Sequence, residues 1–257
     1  MIEPIRFSAL KAMAQSPAHY RYLVEDGGRR ETGAMRKGTA LHSYLLGGRD
    51  VVVYDGGVRR GAAWDEFRAA NANATILIPS EAAAVIGMRR AIEAHPEARR
   101  LLDGERERRI EWTIGGIQCA GTPDVVDYDV GGALVELKSA RSSRPEKFVR
   151  DAQWNGYHAQ LAWYRDGIAA SGREPPRRAA IVAVESNPPY PVTVFELTAT
   201  AIEIGRRLWR GWLERLLVCQ ESNTWPGYTD AIVPFDVEDH DESIVIDGDE
   251  VSLADFA

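Results

Sequence analysis

Gly121-Thr-Pro-Asp-Val-Val-Asp-Tyr-Asp-Val-Gly-Gly-Ala-Leu-Val-Glu-Leu-Lys138 reads as a β-hairpin. Val125, Val126 and Tyr128 supply one arm, and Leu134, Val135 and Leu137 the other. Gly131-Gly132 supplies the turn, because glycine takes the positive φ that tight hairpin connections need. Asp124 opens the first arm. Glu136 and Lys138 stand two apart on the second, so both project from the same face. The hairpin therefore gathers two carboxylates and an ammonium at one strand end, an arrangement costly to bury without a partner. A hard divalent cation relieves that cost, since Mg²⁺ prefers oxygen ligands. Taken alone, the same pattern also fits a solvated hairpin with surface salt bridges.

Working outward, residues 110 to 138 read as a meander of three or four strands: Ile110 to Ile114, a Gly115-Gly116 turn, Ile117 to Ala120, then the hairpin. Glu111 on the first of these is either a solvent-facing strand residue or a site acid. Downstream, residues 139 to 147 form a basic polar loop with Arg141, Arg144 and Lys147, and one long helix is predicted from about Asp151 to Ala170. Gln153, Tyr157, Gln160 and Tyr164 would stripe one face of that helix. Amides and phenols can bind phosphate oxygens or metal-bound water, and they equally suit a wet helix face.

Two strands (Ala179 to Glu185, Thr193 to Leu197) and a helix from about Thr200 to Gln220 follow. Leu208, Trp209, Trp212, Leu213, Leu216 and Leu217 read as that helix's core stripe.

Upstream, residues 6 to 25 read as two short helices, the first capped by Ser8 and the second by Ser16 with Pro17 at its first position. A helix from Ala34 to Leu46 stacks Gly38 and His42 on one face, a glycine one turn before an imidazole leaving room for close approach. As a lone signal this also fits an ordinary hydrogen-bonded core histidine. Residues 51 to 78 read as a strand, a loop and a strand. Ser80 is expected to cap a helix to about Glu93, with a further turn reaching Leu102 after His95-Pro96.

Composition is that of a globular chain, 45% apolar and 27% charged. No apolar run reaches membrane-spanning length. The start carries no signal pattern, and Cys119 and Cys219 are the only cysteines, so a reducing cytoplasm is expected, without a disulfide framework or cysteine-ligated cluster. The net charge of −7 is unevenly placed: residues 236–257 hold nine acids and no Lys or Arg, which leaves residues 1–235 with 31 basic and 29 acidic side chains. Charge alone therefore neither supports nor excludes a nucleic-acid partner.

Together these signals resemble the PD-(D/E)xK nuclease superfamily, in its RecB-like and RecE/lambda-exonuclease-like branches. Gly38-x-x-x-His42 matches the upstream GxxxH, Gly121-Thr-Pro-Asp124 the PD motif, Glu136-Leu-Lys138 the ExK motif and Gln160-x-x-x-Tyr164 the QxxxY motif, in the family's order. Phe7-Ser-Ala-Leu-Lys and Ser16-Pro-Ala-His-Tyr resemble the start of RecE-type (exodeoxyribonuclease VIII) phage or prophage domains, and Trp225-Pro-Gly-Tyr228 their end.

The resemblance implies an α/β, restriction-endonuclease-like core: a central mixed sheet flanked by helices, over residues 1–235, with 236–257 as an acidic tail. It implies Mg²⁺, with Mn²⁺ as substitute, held by His42, Asp124, Glu136 and the Leu137 carbonyl. Lys138 would orient or deprotonate the attacking water, a nearby cation lowering its pKa. Gln160 and Tyr164 would position Lys138, water or phosphate, and Glu111 would stand behind the ligands. Relatives with an iron–sulfur cluster carry a cysteine where Ser16 stands, so no cluster is expected.

The implied activity is 5′-to-3′ exonuclease digestion of duplex DNA ends for single-strand annealing, by a ring-shaped homo-oligomer (trimer or tetramer) working with an annealing protein. An endonuclease or single-strand-specific nuclease, or a non-catalytic DNA-end-binding module, are the alternatives. Arg36, Lys37, Arg141 and Arg144 are candidates for phosphate contacts. If the acidic tail masks a basic DNA groove, deleting residues 236–257 raises duplex affinity at low salt in a fluorescence-anisotropy titration; unchanged affinity counts against self-masking.

Overall fold

The computed structural model describes residues 3–25, 31–235, 243–246 and 249–252. In chain order the elements are β1 (Ile5–Arg6), α1 (Phe7–Leu10), a 3₁₀ turn (Lys11–Ala14), α2 (Pro17–Glu25), α3 (Gly33–Leu46), β2 (Val51–Val53), α4 (Ala62–Ala70), β3 (Thr75–Leu77), α5 (Pro79–Ala94) and α6 (Pro96–Leu101). Then come β4 (Glu105–Arg106), β5 (Ile110–Ile114), β6 (Ile117–Gly121), β7 (Val125–Val126), β8 (Ala133–Ala140), α7 (Pro145–Trp154), α8 (Tyr157–Ala170), β9 (Arg178–Glu185), β10 (Val192–Glu196), α9 (Ala199–Ser222), β11 (Ser243–Ile246) and β12 (Asp249–Ser252). The chain divides into two compact units, residues 1–226 and 227–257. In the second, β11 and β12 pair antiparallel, Ser243 opposite Ser252 and Ile246 opposite Asp249; the rest of the acidic tail lies outside the described residues.

The first unit is built on a five-stranded mixed sheet, in the order β10-β9-β8-β7-β4. Only β8 and β9 run parallel, because α7 and α8 form the crossover between them; the other pairs are antiparallel. Strand β9 is buried along Ala179–Val184, and its period-two alternation feeds two cores. Ala179, Ile181 and Ala183 pack with Leu161, Ile168, Trp209 and Leu216 of α8 and α9. Ala180, Val182 and Val184 pack with Leu41, Val85 and Met88 of α3 and α5. Both faces are covered by helices, which explains a near-continuous apolar strand sequence.

The predicted hairpin forms, with Val125 opposite Val135 and Val126 opposite Leu134. The predicted meander does not form as one sheet. Strands β5 and β6 instead join β1 in a separate three-stranded sheet, and the chain leaves it through Thr122-Pro123, where proline has no N–H to give a ladder.

The single long helix expected from Asp151 is two helices. Gly156, at φ +67°, turns the chain between α7 and α8 and parts Gln153 from the stripe of Tyr157, Gln160 and Tyr164. The loop expected between the strands of 51–78 contains α4, whose Trp64 and Phe67 each lie 5.1 Å from the Tyr54 ring. Helix α5 starts at Pro79 rather than behind a Ser80 cap; the Glu81 carboxylate instead accepts from the Ile78 N–H at 3.1 Å. On α9, Trp209, Leu213 and Leu216 are buried, but Leu208 and Leu217, expected in the core, flank that stripe and are exposed. Trp212 is half-buried against Phe7.

Ser16 caps α2 as expected, its hydroxyl accepting from the His19 N–H. Trp225 stacks on Tyr20 at 6.0 Å, and the Pro226 carbonyl accepts from the Ala18 N–H at 3.1 Å, tying the end of this unit to α2.

Helices α8 and α9 meet at Gly205. A Cβ there would lie 2.6 Å from the carbonyl carbon of His158 and 2.8 Å from the Ala159 nitrogen. Gly205→Ala is expected to lower stability by about 1–3 kcal/mol in urea denaturation. Gly211→Ala, on the same helix with nothing within 4 Å of its added methyl, is expected to leave stability equal or raised, by up to about 1 kcal/mol.

Candidate metal centre

Strand register brings the acids together. The β7–β8 ladder, continued one residue past Val125–Val135, sets Asp124 opposite Glu136. On the other side of β7, the ladder with β4 pairs Arg106 with Val125, and its continuation sets Glu107 opposite Asp124. The Glu107 N–H donates to the Asp124 carbonyl at 3.0 Å, holding that extra rung. Three adjacent strands or their immediate extensions thus each contribute one carboxylate to a single row. Glu107 adopts φ +45°, a left-handed conformation that costs a residue with a side chain on the order of 1 kcal/mol or more.

Helix α3 lays His42 over this row. A Cβ on Gly38, one turn earlier, would come 3.3 Å from the Ser139 hydroxyl, so a small residue there lets α3 approach the end of β8. His42 Nε2 lies 3.0 Å from the Leu137 carbonyl. A carbonyl can only accept, so Nε2 carries a proton and donates it. Nδ1 then faces Asp124 Oδ1 at 3.4 Å and Glu107 Oε1 at 3.8 Å. The second Asp124 oxygen accepts from the Leu137 N–H at 2.7 Å. Burial alone would lower the His42 pKa, but the charge and hydrogen bond of Asp124, together with Glu107, raise it to about 10. In Asp124 the order is similar: burial raises, while His42, Lys138 and the Leu137 N–H bring the carboxyl below its usual range.

Beside this cluster runs a hydrogen-bonded chain. Lys138 Nζ donates to Glu136 Oε2 at 2.5 Å and to Gln160 Oε1 at 3.2 Å, and Gln160 Nε2 donates to the Tyr164 hydroxyl at 3.1 Å. The Lys138 ammonium also sits 5.0 Å from the centre of the Tyr157 ring. Glu136 is almost wholly buried, and its Oε1 has no hydrogen-bond partner. Burial, then the negative charge of Asp124, push its carboxyl up against the pull of Lys138. Burial would lower the Lys138 pKa, but Glu136 and Asp124 outweigh it and hold the amine protonated. The lowering expected from the sequence depends on a bound cation; among the protein's own groups, Glu136 and Asp124 outweigh burial. Burial, then Glu136, likewise raise the Tyr164 phenol.

Of the residues named from the sequence, the structure brings together His42, Asp124, Glu136, Leu137, Lys138, Gln160 and Tyr164. The Leu137 carbonyl is engaged by His42. Glu111 is on an exposed strand position and pairs with Arg109 at 2.7 Å, outside the cluster. Arg36 is engaged by Glu81 at 3.1 Å and Glu31 at 3.6 Å. Arg144 is exposed and pairs with Glu146 at 3.1 Å, Arg141 is exposed and Lys37 is half-buried. Glu107 was missed. The signal for it was the pairing of β4 with β7, which only the folded register discloses.

The donor set fits a hard or borderline dication. His42, Glu107 and Asp124 each offer a ligand atom, all within 4.8 Å of one another. Ligands about 2.1 Å from an octahedral ion lie roughly 3.0 Å apart when adjacent and roughly 4.2 Å apart when opposite. The 3.4 and 3.8 Å separations fall between these. A cavity of about 250 Å³ opens beside Gln160 and Tyr164, lined also by Arg6, Lys11, Asn155 and Tyr157.

A mixed sheet covered by helices, with a D…ExK hairpin and a QxxxY helix at its mouth, defines a PD-(D/E)xK-like fold. The family described as "PDDEXK-like domain of unknown function (DUF3799)" matches residues 6–234, and the chain belongs to it. Among solved structures, the crystal structure of a "Putative exonuclease" from Eubacterium rectale is similar over 92% of this chain and 91% of that one, with a TM-score of 0.65 at 15% identity. A likeness to the crystal structure of SSO0001, covering 84% and 86% at 14% identity, has a TM-score of 0.31 and carries no argument. No curated protein sequence matches. Among the described residues, no helix is long and apolar enough to cross a membrane.

A cation bound only by the folded chain raises its stability. At a free Mn²⁺ concentration one hundred times Kd the gain is about 2.7 kcal/mol. Thermal unfolding is expected to show a rise in Tm with Mn²⁺ that EDTA reverses and that Asp124→Asn abolishes.

Proposed function

We propose that the protein is a metal-dependent deoxyribonuclease that hydrolyses DNA phosphodiester bonds, acting as a 5′-to-3′ exonuclease on duplex ends. The observation that carries the reading is the meeting, at one sheet end, of the His42–Asp124–Glu107 cluster with the Lys138–Gln160–Tyr164 chain. The first offers cation ligands and the second a fixed positive donor. Phosphodiester hydrolysis needs both, since charge builds on the phosphate oxygens as water attacks. A bound Mg²⁺ or Mn²⁺ supplies Lewis-acid polarisation and an activated water.

The chain's own residues do the rest. Lys138, kept protonated, holds the attacking water or a non-bridging phosphate oxygen by donating a hydrogen bond. Gln160 fixes the ammonium's direction by accepting from it, and Tyr164 fixes Gln160 in turn. Glu136 anchors Lys138 from the other side, and its unpartnered oxygen is free to accept from a water.

Exonuclease habit is supported by the name of the Eubacterium rectale neighbour and by the motif resemblance. Polarity, a ring-shaped homo-oligomer, a phage or prophage RecE-like origin and work alongside a single-strand annealing protein rest on the motif resemblance alone.

Linear duplex incubated with Mg²⁺ or Mn²⁺ is expected to be degraded from its ends while covalently closed circles survive. Cleavage of closed circles would instead indicate an endonuclease, and DNA binding without hydrolysis a non-catalytic end-binding module. Lys138→Ala is expected to lower the rate by about 10²-fold or more while near-UV circular dichroism shows a folded protein. Retained activity would remove Lys138 from the mechanism.

A further inference from the structure

We propose that the outer face of α7 is a docking track for single-stranded DNA, on which Lys147 and Arg150 hold the sugar–phosphate backbone and Trp154 stacks against a base. The proposal takes its substrate class from the nuclease reading. It adds the form of that substrate, a single strand, and the surface that receives it.

Lys147, Arg150 and Trp154 lie three and seven residues along α7, so they share one face of the helix. All three are exposed. Trp154 is 89% exposed, whereas Trp112, Trp163 and Trp209 are buried and Trp64, Trp212 and Trp225 half-buried. An indole in water contributes nothing to the core, but stacked on a nucleobase it removes apolar surface from solvent. Among the described residues, neither Lys147 nor Arg150 has an ion-pair partner. Asp151 also lies on this face, so two cations outweigh one carboxylate.

The platform is rigid. The Asn155 N–H and its side-chain amide both donate to the Asp151 carbonyl, at 2.8 and 2.9 Å, and the Gly156 N–H donates to the Gln153 carbonyl at 3.0 Å. Lys11 Nζ reaches Asn155 Oδ1 at 3.4 Å. Gly156 is buried, and a Cβ there would meet Trp212 at 3.5 Å. Trp154 therefore stands on a corner whose backbone loses little freedom when a ligand arrives.

The same corner leads to the site. Asn155 and Tyr157 line the cavity beside Gln160 and Tyr164, and the Tyr157 ring lies 5.0 Å from Lys138 Nζ. A strand laid along α7 from Lys147 to Trp154 reaches the rim of that cavity. Aromatic stacking beside cationic side chains gives sequence-tolerant single-strand binding, because every base offers a π face. In an uninterrupted duplex those faces are covered by neighbouring pairs, so the track distinguishes a single strand from a closed duplex.

The test is binding of oligo(dT) to the full-length chain in EDTA over a range of salt, read by fluorescence anisotropy and by quenching of indole emission, with closed circular duplex as a competitor. Trp154→Ala is expected to weaken oligo(dT) binding about tenfold and to remove part of the quenching, while the circle competes as it does with the wild type. Trp154→Phe keeps a ring and is expected to restore most of the affinity. The double variant Lys147→Gln, Arg150→Gln is expected to reduce the slope of log K against log salt by about 1.4, two phosphate contacts on a single strand. All three side chains are exposed, so urea midpoints are expected to match the wild type. Wild-type oligo(dT) affinity in Trp154→Ala overturns the stacking assignment, and an unchanged salt slope in the double variant overturns the cationic track. Self-association lost in Trp154→Ala by sedimentation, with oligo(dT) affinity kept, gives this face to a second copy and overturns the proposal too. Oligo(dT) binding through Trp154 by a chain that cleaves no DNA with Mg²⁺ leaves this inference standing and removes the proposed reaction. Cleavage by a chain whose oligo(dT) binding ignores Trp154 does the reverse.

Discussion

Three carboxylates in one row across adjacent strands form the constraint on which the rest of this structure turns. Glu136, Asp124 and Glu107 are set there by β-ladder register, which a strand cannot shift without turning every core side chain to the wrong face. The apolar residues that lock the register also lock the charges. The repulsion they create organises what surrounds them. Lys138 is drawn to Glu136, His42 is tilted over Asp124 and Glu107, and Leu137 gives its N–H to Asp124 while its carbonyl accepts from His42. Neither cationic side chain would sit in such surroundings for its own sake, since burial disfavours both charges. A site of this kind holds electrostatic tension in the resting protein and makes it available to a cation or a phosphate.

The two cores show how the sheet bears that tension. Small residues on β9 (Ala179, Ala180, Ala183) let helices settle closely on both faces. One face receives α8, which carries Gln160 and Tyr164; the other receives α3, which carries His42. The groups to which catalysis is assigned in the proposal thus arrive from opposite layers and meet toward the end of β8, where burial gives way to partial exposure at Lys138. Tyr164 is further fixed against Gly121, where a Cβ would lie 2.7 Å from its ring.

Much of this was legible from local signals. The Gly131-Gly132 turn and the alternation around it gave the hairpin, and residue spacing gave the helix faces of His42 and of Gln160 with Tyr164. What stayed hidden depended on distant pairing. Glu107 belongs to the site because β4 joins β7, a contact made across residues 107–124 that no local periodicity announces. Glu111 looked the better candidate because it lies on a recognisable strand, but that strand belongs to another sheet. The break at Gly156 was masked by apolar spacing that fits one helix as well as two. Helix α4 was masked by the glycines around it, although Trp64 and Phe67 stand at helical separation.

Tyr20 and Trp225, with Ala18 and Pro226 beside them, clasp the last residues of the 1–226 unit onto α2. A chain end held this way does not fray, because ring stacking and a backbone hydrogen bond fasten it. A fusion partner joined just beyond Pro226 would therefore leave from an anchored point rather than from a loose strand.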